Sequence, residues 1–414
     1  MILLLALALS PLVQTGLSYW VSCGTLLSLM TIYAARRNIA VALRRPMAAF
    51  VLLIFVAMYF SVLTSATNDP VHDLLLVTRQ GVIFALLCLI MLGSDLGIKA
   101  PSRGIITTIA IITGGMLVLT AIQSVVLQKV YIGIPKSFFI QNENTLPTLL
   151  DMIYARIRPM GTFGEPSYLG FYSTSLIFVL LGNSESGKFR KISNILIFGN
   201  IAIGLLSQSM AFVVAITITL LVHLSNSKSF KRWMSTRTHI PVAIGITAIL
   251  ALITLASLGK FEGVRLFDRV GTIMSGNDFS ANVRIFYPLQ VLLEYIFAYP
   301  FGSANSELLY NVSDISMKFI GFPIKSIDNA LITASFLYGF VGLLVIVTLG
   351  ISARTVSMLA YLFVCANFNG ALLSVDKLAI VSLAVLLHSH FTHLARNGGG
   401  EEDRITLPPR SAIT

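Results

Sequence analysis

Long apolar runs, broken by short basic or polar stretches, repeat along nearly the whole chain. A run of about 20 apolar residues is long enough to cross the hydrocarbon core of a bilayer as a helix. By that criterion the pattern predicts spans at residues 2–14, 17–35, 47–65, 75–95, 104–127, 165–183, 193–207, 209–224, 239–258, 329–350, 352–371 and 373–392. The runs are continuous, without the short alternating segments a transmembrane β-barrel requires. The expected fold is all-α and polytopic, with about twelve transmembrane helices. The first pair of runs and the 193–224 pair are short, so each pair reads as two spans or as one long one.

Charge between the runs decides that choice. Arg36, Arg37, Arg44 and Arg45 mark one loop as cytoplasmic; so do Lys99 with Arg103, Lys188 with Arg190 and Lys191, and Lys228, Lys231, Arg232 and Arg237. Arg396, Arg404 and Arg410 do the same for the tail. These segments fall on one side only if residues 193–224 cross twice, with a turn at Ser207–Ser209. Both termini are then expected in the cytoplasm, and the protein in the cytoplasmic (inner) membrane. The chain divides into N-terminal transmembrane helices (1–127), a first extracytoplasmic segment (128–164), central helices (165–258), a second extracytoplasmic segment (259–328), C-terminal helices (329–393) and a cytoplasmic tail (394–414). In the two outer segments Leu146, Leu149, Leu150, Ile153 and Ile157, and then Ile285, Leu289, Leu292, Leu293 and Ile296, follow helical spacing. Each set predicts an amphipathic helix on the outer membrane surface.

Composition agrees. The chain of 414 residues is 56% hydrophobic and 11% charged, against about 25% charged in a soluble domain. Its mean hydropathy is +0.84. The net charge of +11 reads as positive-inside loops plus an anionic ligand, not as a nucleic-acid surface. Cys23, Cys88 and Cys365 lie inside apolar runs and read as small core residues, without a disulfide framework. The opening MILLLALALSP lacks a basic leader and reads as a retained first span.

Positive-inside bias does not explain the arginines on the other side. Arg156 and Arg158 precede one span, Arg265, Arg269 and Arg284 lie in the second outer segment, and Arg79 sits about a turn inside the outer end of its span. A single arginine at an interface can simply snorkel, whereas several on one face point to an anion site. A guanidinium donates two parallel hydrogen bonds to phosphate and keeps its charge when partly buried. In GTFGEPS, Gly161 and Gly164 permit tight turns and Pro166 suits the first turn of a helix. That helix start, with Arg158 upstream, can grip a diphosphate. Glu165 reads either as a carboxylate favoured at a helix start or as a base or acceptor-hydroxyl ligand. Asp328 and Asn329, before the next span, read as a helix cap or as a proton-accepting boundary site. HSHFTH at residues 388–393 has the residues to bind a metal but reads rather as a solvated membrane-edge cluster, and P-loop, HExxH and CxxC patterns are absent.

An arginine followed by G-x-F-x-E-P-S, a later arginine in NVRIFYPLQ, the turn PFGSANS and then DNALITASFLYGFVGL resemble, in that order, the O-antigen and exopolysaccharide polymerases. These Wzy-like proteins share a superfamily of GT-C-like membrane glycosyltransferases with the O-antigen ligases. The likeness covers roughly residues 150–350. It implies a substrate on a polyprenyl diphosphate carrier in the outer leaflet, and transfer of a growing glycan to the next lipid-linked repeat unit. Donor and acceptor are then both polyprenyl-diphosphate-linked oligosaccharides, with a chain-length regulator as an optional partner and no cofactor or essential metal. On this resemblance Arg158 and Arg284 correspond to the family's outer-loop arginines; with Glu165 and Asp328 from the residue reading they are the candidate catalytic residues, and Arg79, Arg156, Gly164 and Asn329 are the candidate substrate-binding ones. Related ligases carry a histidine where this chain has Asp328. A ligase-type transferase and a lipid-linked oligosaccharide flippase are the alternatives, the latter expected to place charge or broken helices at the membrane midplane.

Overall fold

The computed structural model describes residues 1–16, 22–65, 69–94, 101–126, 132–134, 138–139, 158–184, 189–226, 286–324, 329–368 and 374–396, with Ile98, Asn282 and Ile327. The described residues fold into helices: α1 (Ile2–Leu9), α2 (Cys23–Ala42), α3 (Pro46–Thr64), α4 (Pro70–Leu92), α5 (Ser102–Val126), α6 (Pro166–Ser184), α7 (Arg190–Leu206), α8 (Met210–Asn226), α9 (Tyr287–Ala298), α10 (Leu308–Ile320), α11 (Ala330–Tyr338), α12 (Phe340–Ser352), α13 (Val356–Ala366) and α14 (Val375–Arg396). A 3₁₀ turn, Ser10–Leu12, extends α1. Among them α3, α4, α5 and residues Asp376–Ala395 of α14 are long and apolar enough to cross a membrane.

Exposure shows what solvent the bundle is built for. Leu53, Phe60 and Leu63 on α3, Ile111, Val118 and Val125 on α5, and Ile195 and Phe198 on α7 all point outward. Apolar faces this extensive are untenable in water and at ease in lipid. The protein is an α-helical membrane protein.

The core forms around α6, which packs on α7, α8 and α14. Tyr168 through Leu181 are buried on every side of it, as expected of a helix that is apolar all round. The α14 helix also packs on α2 and α4, and α5 packs on α1 and α7. The initial apolar run belongs to this core, with Leu3, Ala6, Leu7 and Val13 buried.

Several expectations hold. The α6 helix starts at Pro166, and the chain turns between α7 and α8 at Ser207–Ser209, with Gln208 at φ 51°. The first two runs are separate helices. One end of the bundle gathers Arg44 and Arg45 after α2, Ser94 after α4, and Arg103 at the start of α5, which meets the start of α1 where Gly104 faces Leu4. The other end carries residues 158–165 and the starts of α4, α6 and α14.

Others are corrected. Arg36 and Arg37 do not form a loop: the helix-favouring AARRNIAVA stretch carries α2 on to Ala42. The α4 helix begins at Pro70, capped by Asp69, whose carboxylate accepts from His72 N–H at 3.1 Å. Arg79 is therefore about 14 Å from the helix start at 1.5 Å per residue, deeper than expected. The run predicted as one span over 329–350 is two helices. Gly339, at φ 56°, lies against Pro300–Gly302, and Phe340 N–H donates to the Pro300 carbonyl at 2.9 Å. The α9 helix exists, with Leu289 and Leu293 of its expected membrane-facing stripe exposed, but Ile296 of that stripe turns to the protein together with Val291 and Tyr295. Tyr295 turns inward because its hydroxyl reaches Ser303. Burial pushes that phenol above its ordinary pKa. This α9–α10 layer covers the ends of α3 and α4, where Ser61 donates to the Phe301 carbonyl and Ser306 donates from N–H and hydroxyl to the Asp73 carboxylate at 3.2 and 2.8 Å. The predicted span 239–258 and the predicted helix over Leu146–Ile157 lie outside the described residues.

A Cβ on Gly339 would sit 2.1 Å from the Pro300 oxygen, whereas one on Gly114 in α5 would meet nothing within 4 Å. Gly339→Ala should therefore cost about 1–3 kcal/mol in backbone strain alone, and Gly114→Ala should gain about 0.5–1 kcal/mol. Thermal unfolding of the purified variants in detergent checks the opposite signs.

Candidate functional site at the Arg158–Pro166 loop

The loop before α6 is held by buried amide side chains from two other elements. Gln123, fully buried on α5, accepts from the N–H groups of Met160 and Gly161 at 3.0 and 2.8 Å. It donates to the carbonyls of Gly161 and Ile132 at 2.9 and 2.7 Å. Gly161 can turn here because it takes φ 62°, a conformation that costs most residues a steric clash. Gln14, just after α1, accepts from Gly164 N–H at 2.9 Å, and Thr162 donates its hydroxyl to the Pro11 carbonyl at 2.6 Å. Phe163 is buried between Tyr168 and Tyr172, with ring centroids 4.9 and 5.1 Å away. The amides of Met160, Gly161 and Gly164 are thus engaged inside the protein and do not present themselves as an anion cradle. The polar face the loop offers is its charged side chains.

Arg158 donates to the carbonyl of Gln208 at 3.0 Å, which ties the loop to the α7–α8 turn. Glu165 performs the helix-start role: its carbonyl accepts from Tyr168 N–H at 3.2 Å and its carboxylate accepts from the Ser167 hydroxyl at 2.7 Å.

Two residues absent from the sequence-based candidates complete the site. Asp376 and Lys377, at the start of α14, are buried at 9% and 5% exposure. The Lys377 ammonium lies 5.2 Å from the centroid of the Tyr168 ring and donates to the Phe368 carbonyl at 3.4 Å. Tyr168 is electrostatically coupled to both Asp376 and Glu165. Its hydroxyl is turned toward the buried Asp376 carboxylate, although the two do not reach ordinary hydrogen-bond geometry. A carboxylate, a phenol and an ammonium gathered in an apolar core are costly to desolvate, and such clusters are concentrated at functional sites. The signal in the sequence was the Asp–Lys doublet inside SVDKLAIVSLAVLL, hidden by the apolar average of its run.

Asn329 is brought to the flank of this cluster. It caps α11, accepting from Leu331 and Ile332 N–H at 3.0 and 3.1 Å, and donates to Asn367 at 2.7 Å. Asn367 precedes the Phe368 whose carbonyl meets Lys377. The cap reading of Asn329 is realised. Arg79 is half-buried on α4; its neighbours Thr78 and Gln80 bond Tyr59 of α3 and Tyr338 of α11, a different side of the bundle from the loop. Arg156, Arg284 and Asp328 lie outside the described residues, as do Arg265 and Arg269. Among the described residues no three His, Cys, Asp or Glu side chains converge as a metal site.

No family model matches the chain, and no curated protein is significantly similar to it in sequence.

Gln123→Ala removes four hydrogen bonds from the loop and leaves buried backbone groups without partners, at about 1–3 kcal/mol each. Amide hydrogen exchange at Met160 and Gly161 should speed up at least about tenfold. The same measurement on Val125→Ala, which trims a lipid-facing side chain two residues along the same helix, should show little change at these amides.

Proposed function

We propose that the protein is a membrane glycosyltransferase of the polysaccharide-polymerase type, with about twelve spans and both termini in the cytoplasm. It transfers a growing glycan from a polyprenyl-diphosphate carrier to the next lipid-linked repeat unit at the outer face of the cytoplasmic membrane. The observation that supports this reading best is the gathering of Glu165, Tyr168, Asp376 and Lys377 at the bundle end opposite Arg44, Arg45 and Arg103, with Arg158 in the same loop. An activated lipid donor supplies its own leaving group, so the residues needed are cations for the departing diphosphate and a carboxylate for a proton.

In this mechanism the acceptor hydroxyl oxygen bonds to the anomeric carbon while the bond from that carbon to the diphosphate oxygen breaks. The hydroxyl proton passes to a carboxylate, Glu165 or Asp376, and the lipid diphosphate departs as an anion. Arg158 and Lys377 stabilise that charge as it develops, which lowers the barrier because the charge is greatest in the transition state. Holding two lipid-linked substrates side by side supplies the rest through proximity. A ligase would run the same chemistry onto a different acceptor. The helix break at Gly339 favours a second reading, a flippase, since discontinuous helices are a transporter device.

Purified protein in liposomes, supplied with lipid-linked repeat units on its outer side, should elongate them. Arg158→Lys and Asp376→Asn should each slow elongation by about 10²-fold or more with the circular dichroism unchanged. Translocation of the repeat unit without elongation would establish the flippase. Full activity in both variants would remove these residues from the mechanism.

A further inference from the structure

A second polar site lies at the other end of the bundle, where no part of the proposed transfer takes place. A cavity of about 110 Å³ opens between the end of α4, the start of α13 and the last turns of α14. Its walls include Ser94, Arg354, Thr355, His388, Ser389 and His393. That volume holds several waters or one tetrahedral oxyanion.

The walls are fixed. Asn38 of α2 donates to the Gly93 carbonyl at 3.0 Å, and a Cβ on Gly93 would lie 2.1 Å from the Asn38 oxygen. That close approach holds Ser94 at the rim. Thr355 caps α13, its hydroxyl oxygen accepting from Met358 N–H at 3.1 Å, so the positive end of an 11-residue helix faces the cavity with Arg354 immediately before it. His388 points the same way. Its ring stacks on Phe178 at 4.0 Å, and Nδ1 is 2.8 Å from the Phe178 carbonyl. A carbonyl only accepts, so Nδ1 carries the proton and Nε2 turns to the cavity. His388 is 6% exposed and lines the cavity, with His223 nearby. A guanidinium and a helix N-terminus favour an anion, and a neutral imidazole beside them suits one that can also donate a hydrogen bond.

We infer that this cavity binds a phosphate group: its anionic oxygens meet Arg354 and the α13 N-terminus, and a protonated oxygen or bridging water donates to His388 Nε2. The surroundings favour the phosphate of a membrane lipid. Ile351, Val356, Leu359 and Phe363 are exposed beside Arg354, and the last three recur along one face of α13, where an acyl chain would lie. The inference does not rest on the transferase reading, and neither depends on the other.

The test uses the full-length protein, delipidated in detergent, with dioleoyl phosphatidic acid and dioleoylglycerol as probes in native mass spectrometry and inorganic phosphate in thermal unfolding. Wild-type protein should retain phosphatidic acid at least about tenfold over dioleoylglycerol. Arg354→Gln should lose at least about fivefold of that retention, and Arg354→Lys, which keeps charge without the planar fork, should lie between. Lys318→Gln, an exposed cation on α10 in an ion pair with Asp314, should match wild type. Stabilisation by inorganic phosphate that Arg354→Gln abolishes, without lipid retention, assigns the site to soluble phosphate. Equal retention of both lipids with no stabilisation by phosphate, or binding that Arg354→Gln leaves intact, overturns the inference.

Discussion

A backbone group surrounded by lipid and packed side chains has no water to fall back on, and this single constraint shapes the molecule. Regular helices satisfy it by themselves. The loop before α6 cannot, because residues 158–165 run irregularly into the core, and Gln14 and Gln123 take over the work that water would do at a soluble surface. They are placed by α1 and α5, which are predominantly apolar, so the position of the loop depends on two helices distant in sequence. The same constraint governs the junction of α11 and α12, where Pro300 supplies a carbonyl to Phe340 N–H at the point where the helix is broken.

The two ends of the bundle then acquire different chemistry from the same few devices. At one, a helix start carries Glu165, and a neighbouring helix start carries Asp376 and Lys377 around Tyr168. At the other, a helix start carries Thr355 and Arg354 beside His388. At the first, Asp376 and Lys377 are buried beside a helix N-terminus, a low-dielectric setting where electrostatic interactions are stronger than in water; at the second, Arg354 is exposed and the buried group is His388. Acidic groups mix with basic ones at the first site, which suits it to moving a proton, whereas the described walls of the second carry a guanidinium, hydroxyls and imidazoles.

Much of this was readable from the chain. Apolar length located most helices, Pro166 marked the start of α6, the SQS stretch marked the α7–α8 turn, and Asn329 was correctly read as able to cap α11. What stayed hidden has physical causes. Gln14 and Gln123 look like stray polar residues until the partner backbone is known, because hydrogen bonds 150 and 38 residues apart in sequence leave no local signature. Asp376 and Lys377 vanish in a window average dominated by leucine, valine and alanine. The break at Gly339 is invisible because YGFVG is as apolar as its flanks and the cause of the turn, Pro300–Gly302, lies elsewhere in the chain. On α9 both faces are apolar, so periodicity alone did not show that Ile296 joins Val291 and Tyr295 on the protein side.

The bond from Gly164 to Gln14 also orders events during synthesis. The α1 helix enters the membrane long before residue 164 has left the ribosome. Throughout that interval the Gln14 amide lacks its eventual partner and must be hydrated, or matched temporarily, at the membrane edge. Closure of the rim is therefore a late step that waits for α6 to dock, and chains interrupted before that point would carry an inserted amino-terminal half with an unfinished pocket, a natural substrate for quality-control proteases.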